Sequence, residues 1–475
     1  MRFYGRDKEL RDLHRVMQRD EQQTVLIYGR RRVGKSALIK QCLHESDITS
    51  IYFECKQTTE PNNLESLCVL ISETFHFPRP TFGSMEELLD FLFKKAEEAP
   101  LILVLDEYSY LREVVRGMDS ILQSLTDRYC DTSRMKLILC GSFVDVMRSL
   151  QERNNPLYGR IDKTIDLKPM DYYESALFYP SFSNADKVRL YSVFGGIPYY
   201  NRLIDPALSV KENILALIAS PDARLIHEVP LYIRSEIARI NNANEVFETL
   251  ARGFSKFSDI LSQSHVSSSP ALSDVLEKLL HMEIVTKKAP INDENNRKKA
   301  GYYIVDNLSR FYYRYVSRYL SQMNIMEPEV FFDRYIAEDF EADFVPYAFE
   351  TVATQYLIRQ NRSGRIQPPF DKIGKYYYDD PVNHRNGEFD VVTQDVNGYV
   401  FYEAKFRAAP VDRNAVEDEL RQVHAAGLKC YRYGFFSRSG FEIEPEEQLI
   451  LTDINDLYRP QSPETSINSL TARGR

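Results

Sequence analysis

Between residues 20 and 180 the chain alternates short runs of consecutive apolar residues with segments of helical periodicity. The runs are Thr24-Val25-Leu26-Ile27-Tyr28, Ser50-Ile51-Tyr52-Phe53, Leu101-Ile102-Leu103-Val104-Leu105 and Leu137-Ile138-Leu139-Cys140. Strands that are apolar at nearly every position are buried on both faces, so the pattern predicts a parallel sheet covered by helices. Residues 181–240 read as helical. From about 245 to 310 the pattern predicts a helix, a short helix, a third helix and a strand pair. In the third helix Ser269-Pro270 supplies a cap and an N1 proline, and Leu272, Val275, Leu276, Leu279 and Leu280 follow at helical spacing. The strands Glu283-Ile284-Val285-Thr286 and Gly301-Tyr302-Tyr303-Ile304-Val305 flank a polar loop with Lys287, Lys288, Arg297, Lys298 and Lys299. That order predicts a winged helix. A Tyr-rich helical stretch, Phe311 to Leu320, leads to a last α+β segment from about 336, and the tail after Leu457 is polar enough to be disordered. No internal repeat is visible.

Composition narrows the class. A chain of 475 residues has room for about three domains. With 43% hydrophobic and 27% charged residues it is ordinary globular usage, not collagenous, disordered or membrane-integral. No apolar run approaches a membrane span, and the charged start Met1-Arg2-Phe3-Tyr4-Gly5-Arg6-Asp7-Lys8-Glu9 lacks a signal-peptide core, so the protein is expected in the cytoplasm, away from membranes. The six cysteines are scattered without a C-x-x-C pair, which supports neither a disulfide frame nor a zinc site. The net charge of −9 means that any nucleic-acid contact needs a local basic patch.

Gly29-Arg30-Arg31-Arg32-Val33-Gly34-Lys35-Ser36 fits the phosphate-binding loop G-x-x-x-x-G-K-[ST], placed after an apolar strand and before the helix that opens with Ala37. The glycines let backbone N–H groups close around phosphates at a helix N-terminus. Lys35 then reaches the β- and γ-phosphates of ATP, and Ser36 holds Mg²⁺. The buried run Leu101–Leu105 ends in Asp106-Glu107: Asp106 to order the Mg²⁺ and its waters, Glu107 to orient or deprotonate the attacking water. The strand Leu137–Cys140 ends in Gly141-Ser142, where the hydroxyl either senses the γ-phosphate or is structural.

Three carboxylates and a lysine stand out near the C-terminus. A helix from about Glu341 to Arg359 places Glu350 on a face with Tyr347, Ala353 and Leu357, partly buried. If Asn397-Gly398 is a two-residue hairpin turn, Val396 pairs with Tyr399, Asp390 faces Lys405 and Val392 faces Glu403. Alternation then puts Asp390, Glu403 and Lys405 on one side of the sheet. Acids that hold Mg²⁺ or Mn²⁺, with a lysine to position water or stabilise the phosphorane, suit a metal-dependent phosphodiesterase. This segment resembles the PD-(D/E)xK nuclease fold, with Glu350 as helix acid, Asp390 as first strand acid, Glu403-x-Lys405 as second motif and Gln422 as an extra polar residue. The other reading is a cross-strand ion pair between Asp390 and Lys405.

Six motifs in order, Phe3-Tyr4-Gly5-Arg6-Asp7-Lys8-Glu9-Leu10, the phosphate loop, Asp106-Glu107, Gly141-Ser142, Pro156-Leu157-Tyr158-Gly159-Arg160 and Gly195-Gly196-Ile197-Pro198, resemble the archaeal-type ATPase family of the STAND group, related to AAA+ proteins. The resemblance implies that Gly5-Arg6 and Pro198 lie against the adenine and that Arg160 is an arginine finger or sensor, a helix-capping or surface arginine being the alternative. The C-terminal segment resembles the nuclease-like domain of unknown function found after the ATPase and winged helix in that family, including Lys372-Ile373-Gly374-Lys375, with Tyr376-Tyr377-Tyr378 where many relatives have tryptophans. The expected fold is therefore an α/β P-loop ATPase core (1–180), a helical lid (181–240), a winged helix (241–310), a helical linker (311–335), an α+β restriction-endonuclease-like domain (336–457) and a flexible tail (458–475). The expected function is an ATP-dependent switch controlling a nuclease-like domain that acts on DNA; the rival is a signalling or assembly ATPase whose C-terminal domain binds DNA or protein without cutting. The wing lysines and arginine favour sequence-independent backbone contact, whereas Asp274 and Glu277 on the third helix oppose DNA in a groove. Oligomeric state, a homo-oligomer included, stays open.

Overall fold

The computed structural model describes residues 3–231, 242–296, 299–380, 385–425 and 430–460. Part of the expected lid, Arg297 and Lys298 of the expected wing, and most of the expected tail lie outside the described residues. The chain divides into two compact units. The first comprises Met1–Met170, Phe194–Ile204 and Leu276–Ile284; the second comprises Asp171–Val193, Asp205–Val275 and Val285–Arg475. Among the described residues no helix is long and apolar enough to cross a membrane.

The first unit is built on five parallel strands, β1 (Gln23–Tyr28), β2 (Thr49–Glu54), β3 (Leu101–Asp106), β4 (Met135–Gly141) and β5 (Lys163–Asp166), in the order β2-β3-β4-β1-β5. Every residue of β1, β3 and β4 is buried, which is why their sequence shows unbroken apolar runs rather than alternation. The helices Glu60–Phe75, Met85–Glu98 and Met118–Arg128 bury Leu67, Ile71, Leu89, Leu92, Leu122 and Leu125 in a common core with Leu26, Leu103 and Leu137. The edge strand β5 carries one buried apolar residue, Ile165, and gives no such run.

Residues 194–204 return to this unit, and Gly196 sets how closely. Its carbonyl accepts from the Met170 backbone N–H at 2.8 Å, and a Cβ at Gly196 would lie 1.8 Å from the Met170 carbonyl oxygen. No side chain fits there.

In the second unit, the helices Ala243–Ala251, Phe257–Gln263 and Ser269–Val275, the part of the longer helix that falls here, precede the antiparallel pair β6 (Val285–Lys288) and β7 (Gly301–Ile304). The Tyr-rich stretch is helical, with a wider π-turn at Tyr312–Val316. The main sheet contains β8 (Lys372–Asp380), β9 (Arg385–Asp395), β10 (Gly398–Lys405), β12 (Cys430–Ser437) and β14 (Leu449–Asp453) in the order β14-β12-β10-β9-β8; β11 (Val411–Asp412) and β13 (Phe441–Glu442) form a separate small pair. The β8–β9–β10 meander is antiparallel and β12 and β14 add in parallel, so the sheet is mixed. Helix Val345–Arg362 packs on β9 and β10. Helix Arg413–Ala425 contributes Val416 and Val423 to a core with Phe389, Val392, Phe401 and Phe435.

The hairpin register differs from the sequence expectation by two residues. Asp395 pairs with Gly398, so the turn residues are Val396-Asn397, and the Asp395 carboxylate accepts from the Asn397 N–H at 2.7 Å. An aspartate that closes the turn onto its own backbone wins over the Asn-Gly signal, and Gly398, at φ 133°, becomes the first residue of β10. Val392 therefore pairs with Phe401, not Glu403, and the ladder's last pair is Val391 with Tyr402, after which Asp390 and Glu403 are next along the two strands. Between β8 and β9, Gly374 pairs with Val392 and Tyr376 with Phe389, so Asp390 and Val391 share the place opposite Lys375.

Between β6 and β7, Ile291 and Asn292 lie along β8. The Ile291 N–H donates to the Lys375 carbonyl at 2.8 Å, Asn292 bonds the Tyr377 carbonyl at 2.7 Å and N–H at 3.1 Å, and Ile291 joins the sheet's core.

Gly196→Ala should destabilise the first unit by about 3 kcal/mol, the upper range for forcing atoms into a filled site. A fall in the urea midpoint checks this; an unchanged midpoint would mean that the 194–204 segment is not packed as described.

Candidate functional site

The strand order places β4 between β1 and β3, so the loops following three neighbouring parallel strands converge. The phosphate loop runs from β1 to the helix Lys35–His44, whose cap Gly34 has φ 102°, a left-handed value that favours glycine. Lys35 is 5% exposed. Its ammonium donates to the carbonyls of Gly29 at 2.9 Å and Arg30 at 3.2 Å and to Ser142 Oγ at 3.0 Å. Burial lowers its pKa. A cation stripped of water in this way gains from any anion that enters.

Asp106 is 4% exposed and is surrounded by donors. Oδ2 accepts from Ser36 Oγ at 2.8 Å and from the Tyr52 hydroxyl, and Oδ1 from the Glu107 N–H at 3.0 Å. Burial alone would raise this carboxyl, but the bonds from Tyr52, Cys140 and Ser36 outweigh it and hold the pKa below its ordinary value. The same burial and the Asp106 charge push the Tyr52 phenol far up, so it is a donor only. Glu107 adopts a left-handed backbone (φ 52°), and its carboxylate accepts from Ser142 N–H at 3.1 Å and from Ser142 Oγ. Ser142 thus touches both Lys35 and Glu107.

The remaining loop and base-side candidates lie around this centre, whereas Arg160 sits just before β5 at the opposite end of the sheet, where the Asp162 N–H donates to the Thr24 carbonyl at the start of β1. Val33 is buried, Arg31, Arg32 and Ala37 are exposed, and Arg30 is half-buried. The Arg32 guanidinium stacks on Tyr199 at 4.1 Å, and the Pro198 Cγ would lie 3.7 Å from a Cβ at Gly34. Gly5 and Arg6 both have φ 64°, and the buried Arg6 guanidinium donates to the carbonyls of Lys168 at 2.6 Å and Val33 at 3.3 Å, so it braces the phosphate loop. Arg160 forms a two-pronged pair with Asp127, both bonds 2.7 Å, and donates to the carbonyls of Pro156 and Tyr158.

Hard oxygen donors side by side, Ser36 Oγ and Asp106 Oδ2, next to a buried lysine fit Mg²⁺ with a phosphate chain.

The C-terminal candidates form a different arrangement. Glu350, Asp390 and Glu403 interact through space: burial and then the Asp390 charge push the Glu350 carboxyl up to about 8, and burial and then Glu419 raise Glu403. Lys405 does not meet Asp390. It bridges Glu403 at 2.8 Å and Glu419 at 2.9 Å, which follows from the two-residue difference in register. The lysine on Asp390 is Lys375, which also pairs with Glu388 at 2.9 Å. Gln422 bonds the Tyr378 hydroxyl at 3.2 Å. Among the described residues no group of three or more His, Cys, Asp or Glu side chains is gathered closely enough to hold a metal ion. The donors present here therefore do not fit a bound Mg²⁺ or Mn²⁺ as they stand; ammonium groups answer their charge. Around β6 and β7, Lys299 pairs with Asp293 at 3.2 Å and lies over Tyr377, while Lys287 and Lys288 lie over Tyr302 and Tyr303.

Sequence reasoning missed Tyr52, Glu388 and Glu419 and gave Lys375 no chemical role. The position of Tyr52 near the end of β2, the neighbour of β3, was the available signal; Lys375 depends on the bulge, which no local pattern announces.

Residues 3–203 match the family described as an ATPase domain predominantly from Archaea, and residues 312–419 match one described as archaeal and bacterial proteins of unknown function. A protein of Methanocaldococcus jannaschii described as uncharacterized is 26% identical over 465 residues, which cover 96% of this chain and 99% of the relative. Among solved structures, a Walker-type ATPase of Pyrococcus abyssi matches with TM-score 0.50 and 21% identity over 66% of this chain and 96% of its own. The ORC2 protein of Aeropyrum pernix, solved in ADPNP-ADP complexes, matches with TM-score 0.45 and 15% identity over 65% of this chain and 91% of its own.

The raised Glu350 carboxyl has a measurable sign. Between pH 4.5 and about 8 the unfolded chain has released this proton and the folded chain has kept it. Wild-type stability should therefore fall relative to Glu350→Gln across that window, by at most about 1.4 kcal/mol per pH unit. Denaturant midpoints of both proteins from pH 5 to 8 measure the difference; a difference independent of pH would place Glu350 in water.

Proposed function

From an archaeal-type ATPase domain at residues 3–203 joined to a C-terminal domain of the 312–419 type, we propose that the protein is an ATP-hydrolysing switch whose first unit binds ATP with Mg²⁺ and controls the C-terminal nuclease-like domain. The observation that carries the reading is the convergence of Lys35, Ser36, Asp106, Glu107 and Ser142.

The N–H groups from Arg30 to Ser36 and the Lys35 ammonium receive the β- and γ-phosphates. Lys35 exchanges its carbonyl partners for phosphate oxygens. Ser36 and Asp106 are the residues that hold Mg²⁺, which when bound offsets charge on the leaving phosphates. Tyr52 keeps Asp106 ionised and aimed. Glu107 leaves Ser142 and takes a proton from the attacking water, while the freed Ser142 hydroxyl donates to the γ-phosphate. Gly5, Arg6 and Pro198 are assigned to the adenine side, and Arg160 to a finger or sensor role that requires it to leave Asp127.

For the C-terminal domain, the reading is a phosphodiester-handling site around Glu350, Asp390, Glu403 and Lys405, with DNA as the polymer. The helical lid (181–240), winged helix (241–310) and linker (311–335) transmit the nucleotide state to the nuclease-like domain (336–457). A second reading, a domain that binds DNA or protein without cutting, is favoured by one observation: Lys375 and Lys405 are paired with the acids.

ATP at about 100 times its dissociation constant should stabilise the wild type by about 2.7 kcal/mol. Lys35→Ala should lose that gain, and Glu107→Gln should keep it while losing turnover. Thermal unfolding with and without ATP and Mg²⁺ tests this; a wild type unmoved by nucleotide sinks the proposal.

A further inference from the structure

In the second unit Arg310 is a cation that no acid answers among the described residues. It lies on the helix Asn307–Phe311 that follows β7, with its guanidinium 4.3 Å from the centre of the Phe344 ring and 4.6 Å from that of Tyr347. Its Nε and Nη2 are buried and have no hydrogen-bond partner. Arg314, four residues on and beside the same Phe344 ring, is met by Asp339 at 2.7 Å and Asp343 at 2.6 Å. Aromatic rings serve the face of a guanidinium, whereas its N–H groups point out along its edge and need acceptors. A desolvated guanidinium without them is costly, and an anion that enters supplies them. A second cation stands near. Lys288, an exposed residue of β6, and Lys375 flank the Tyr303 ring at 5.6 and 5.9 Å. Lys375 and Arg310 both act on the Lys288 ammonium through space, and Glu350 acts on Lys288 and Arg310 without pairing with either. Lys375 is taken up by Asp390 and Glu388, which leaves Lys288 and Arg310 as the open charges.

We propose that Lys288 and Arg310 form a phosphate subsite, in which a backbone phosphate of DNA is seated on Lys288 and supplies the acceptors that the Arg310 guanidinium lacks. The inference rests on the reading of the C-terminal domain as one that handles DNA. Phosphate suits the pair: its two free oxygens match the planar fork of an arginine, and the lysine adds a point charge. Lys375, by holding Asp390 and Glu388, keeps those carboxylates from repelling the incoming phosphate. Lys287 stands outside the subsite, because alternation along β6 turns it to the other face, over Tyr302.

Fluorescence anisotropy of the full chain with a short blunt DNA duplex tests this across a range of salt; unphosphorylated ends leave backbone phosphates as its only phosphate groups. Arg310→Met, which keeps a stem between the rings and removes the charge and its donors, should weaken binding about tenfold, the loss expected for a hydrogen bond to a charged group. Arg310→Lys, which keeps the charge without the fork, should recover part of that loss. Lys288→Met should flatten the plot of log affinity against log salt by about 0.9, the value for one phosphate contact, and Lys287→Met should leave it unchanged. If Arg310→Met does not fold, the Lys288→Met slope and the protection of Lys288 from acetylation by bound duplex decide the matter. If either Arg310→Met or Lys288→Met binds the duplex as wild type does, DNA is held elsewhere and the subsite is overturned while the DNA-handling reading stands. Equal losses in Lys287→Met and Lys288→Met mean general charge attraction and also overturn it. A wild type that does not bind the duplex at low salt removes the DNA reading and the inference together.

Discussion

Parallel strands covered on both faces can present polar groups only at their ends, and in the first unit three such ends are adjacent because β4 is inserted between β1 and β3. Everything charged in the phosphate site follows from that order. Lys35 begins the helix after β1, Asp106 ends β3 with Glu107 just beyond it, and Ser142 follows β4. With the surrounding core closed, these groups satisfy one another: lysine to serine, serine to glutamate, serine and tyrosine to aspartate. In the proposed reading a nucleotide, its metal and a water take over these contacts one by one, so Lys35, Ser142 and Glu107 exchange partners on binding rather than come together from a distance.

The C-terminal sheet handles charge by another rule. Its acids stand on two antiparallel strands and a helix rather than at neighbouring parallel ends, and each strand acid carries its own lysine partner. Lys405 comes from the same strand as Glu403, two residues on, and is held by Glu419 from the following helix. Lys375 comes from the edge strand, where the β6–β7 loop is docked. That docking ties residues 291 and 292 to the sheet's edge. Lys299 is engaged there by Asp293 and the Tyr377 ring, whereas Lys287 and Lys288 stay exposed beside Tyr302 and Tyr303.

The legible part of the sequence was the part governed by local rules. Unbroken apolar runs marked β1 to β4, the loop motif marked Lys35 and Ser36, and the strand-end pair marked Asp106-Glu107. β5 went unread because one apolar residue among Lys163, Thr164 and Asp166 makes no pattern. The hairpin was found but shifted, since Asn-Gly is a strong turn signal and the competing signal, Asp395 closing on Asn397, is a side-chain bond invisible to a propensity argument. The lysine partners of the acids were misassigned for the same reason: one slip in register moves Lys405 from Asp390 to Glu403, and a bulge delivers Lys375 in its place. Tyr52 was unread as a site residue because its role comes only from strand adjacency.

The central claim is that the phosphate loop with Asp106 and Glu107 is a hydrolytic centre rather than a nucleotide clamp. The most direct measurement is single-turnover release of inorganic phosphate from ATP by wild-type protein in excess over nucleotide, with Mg²⁺ and then with the metal chelated. The account predicts slow phosphate release that requires Mg²⁺ and is absent without it. Tight ATP binding with no phosphate released in the presence of Mg²⁺, or release indifferent to chelation, would contradict it.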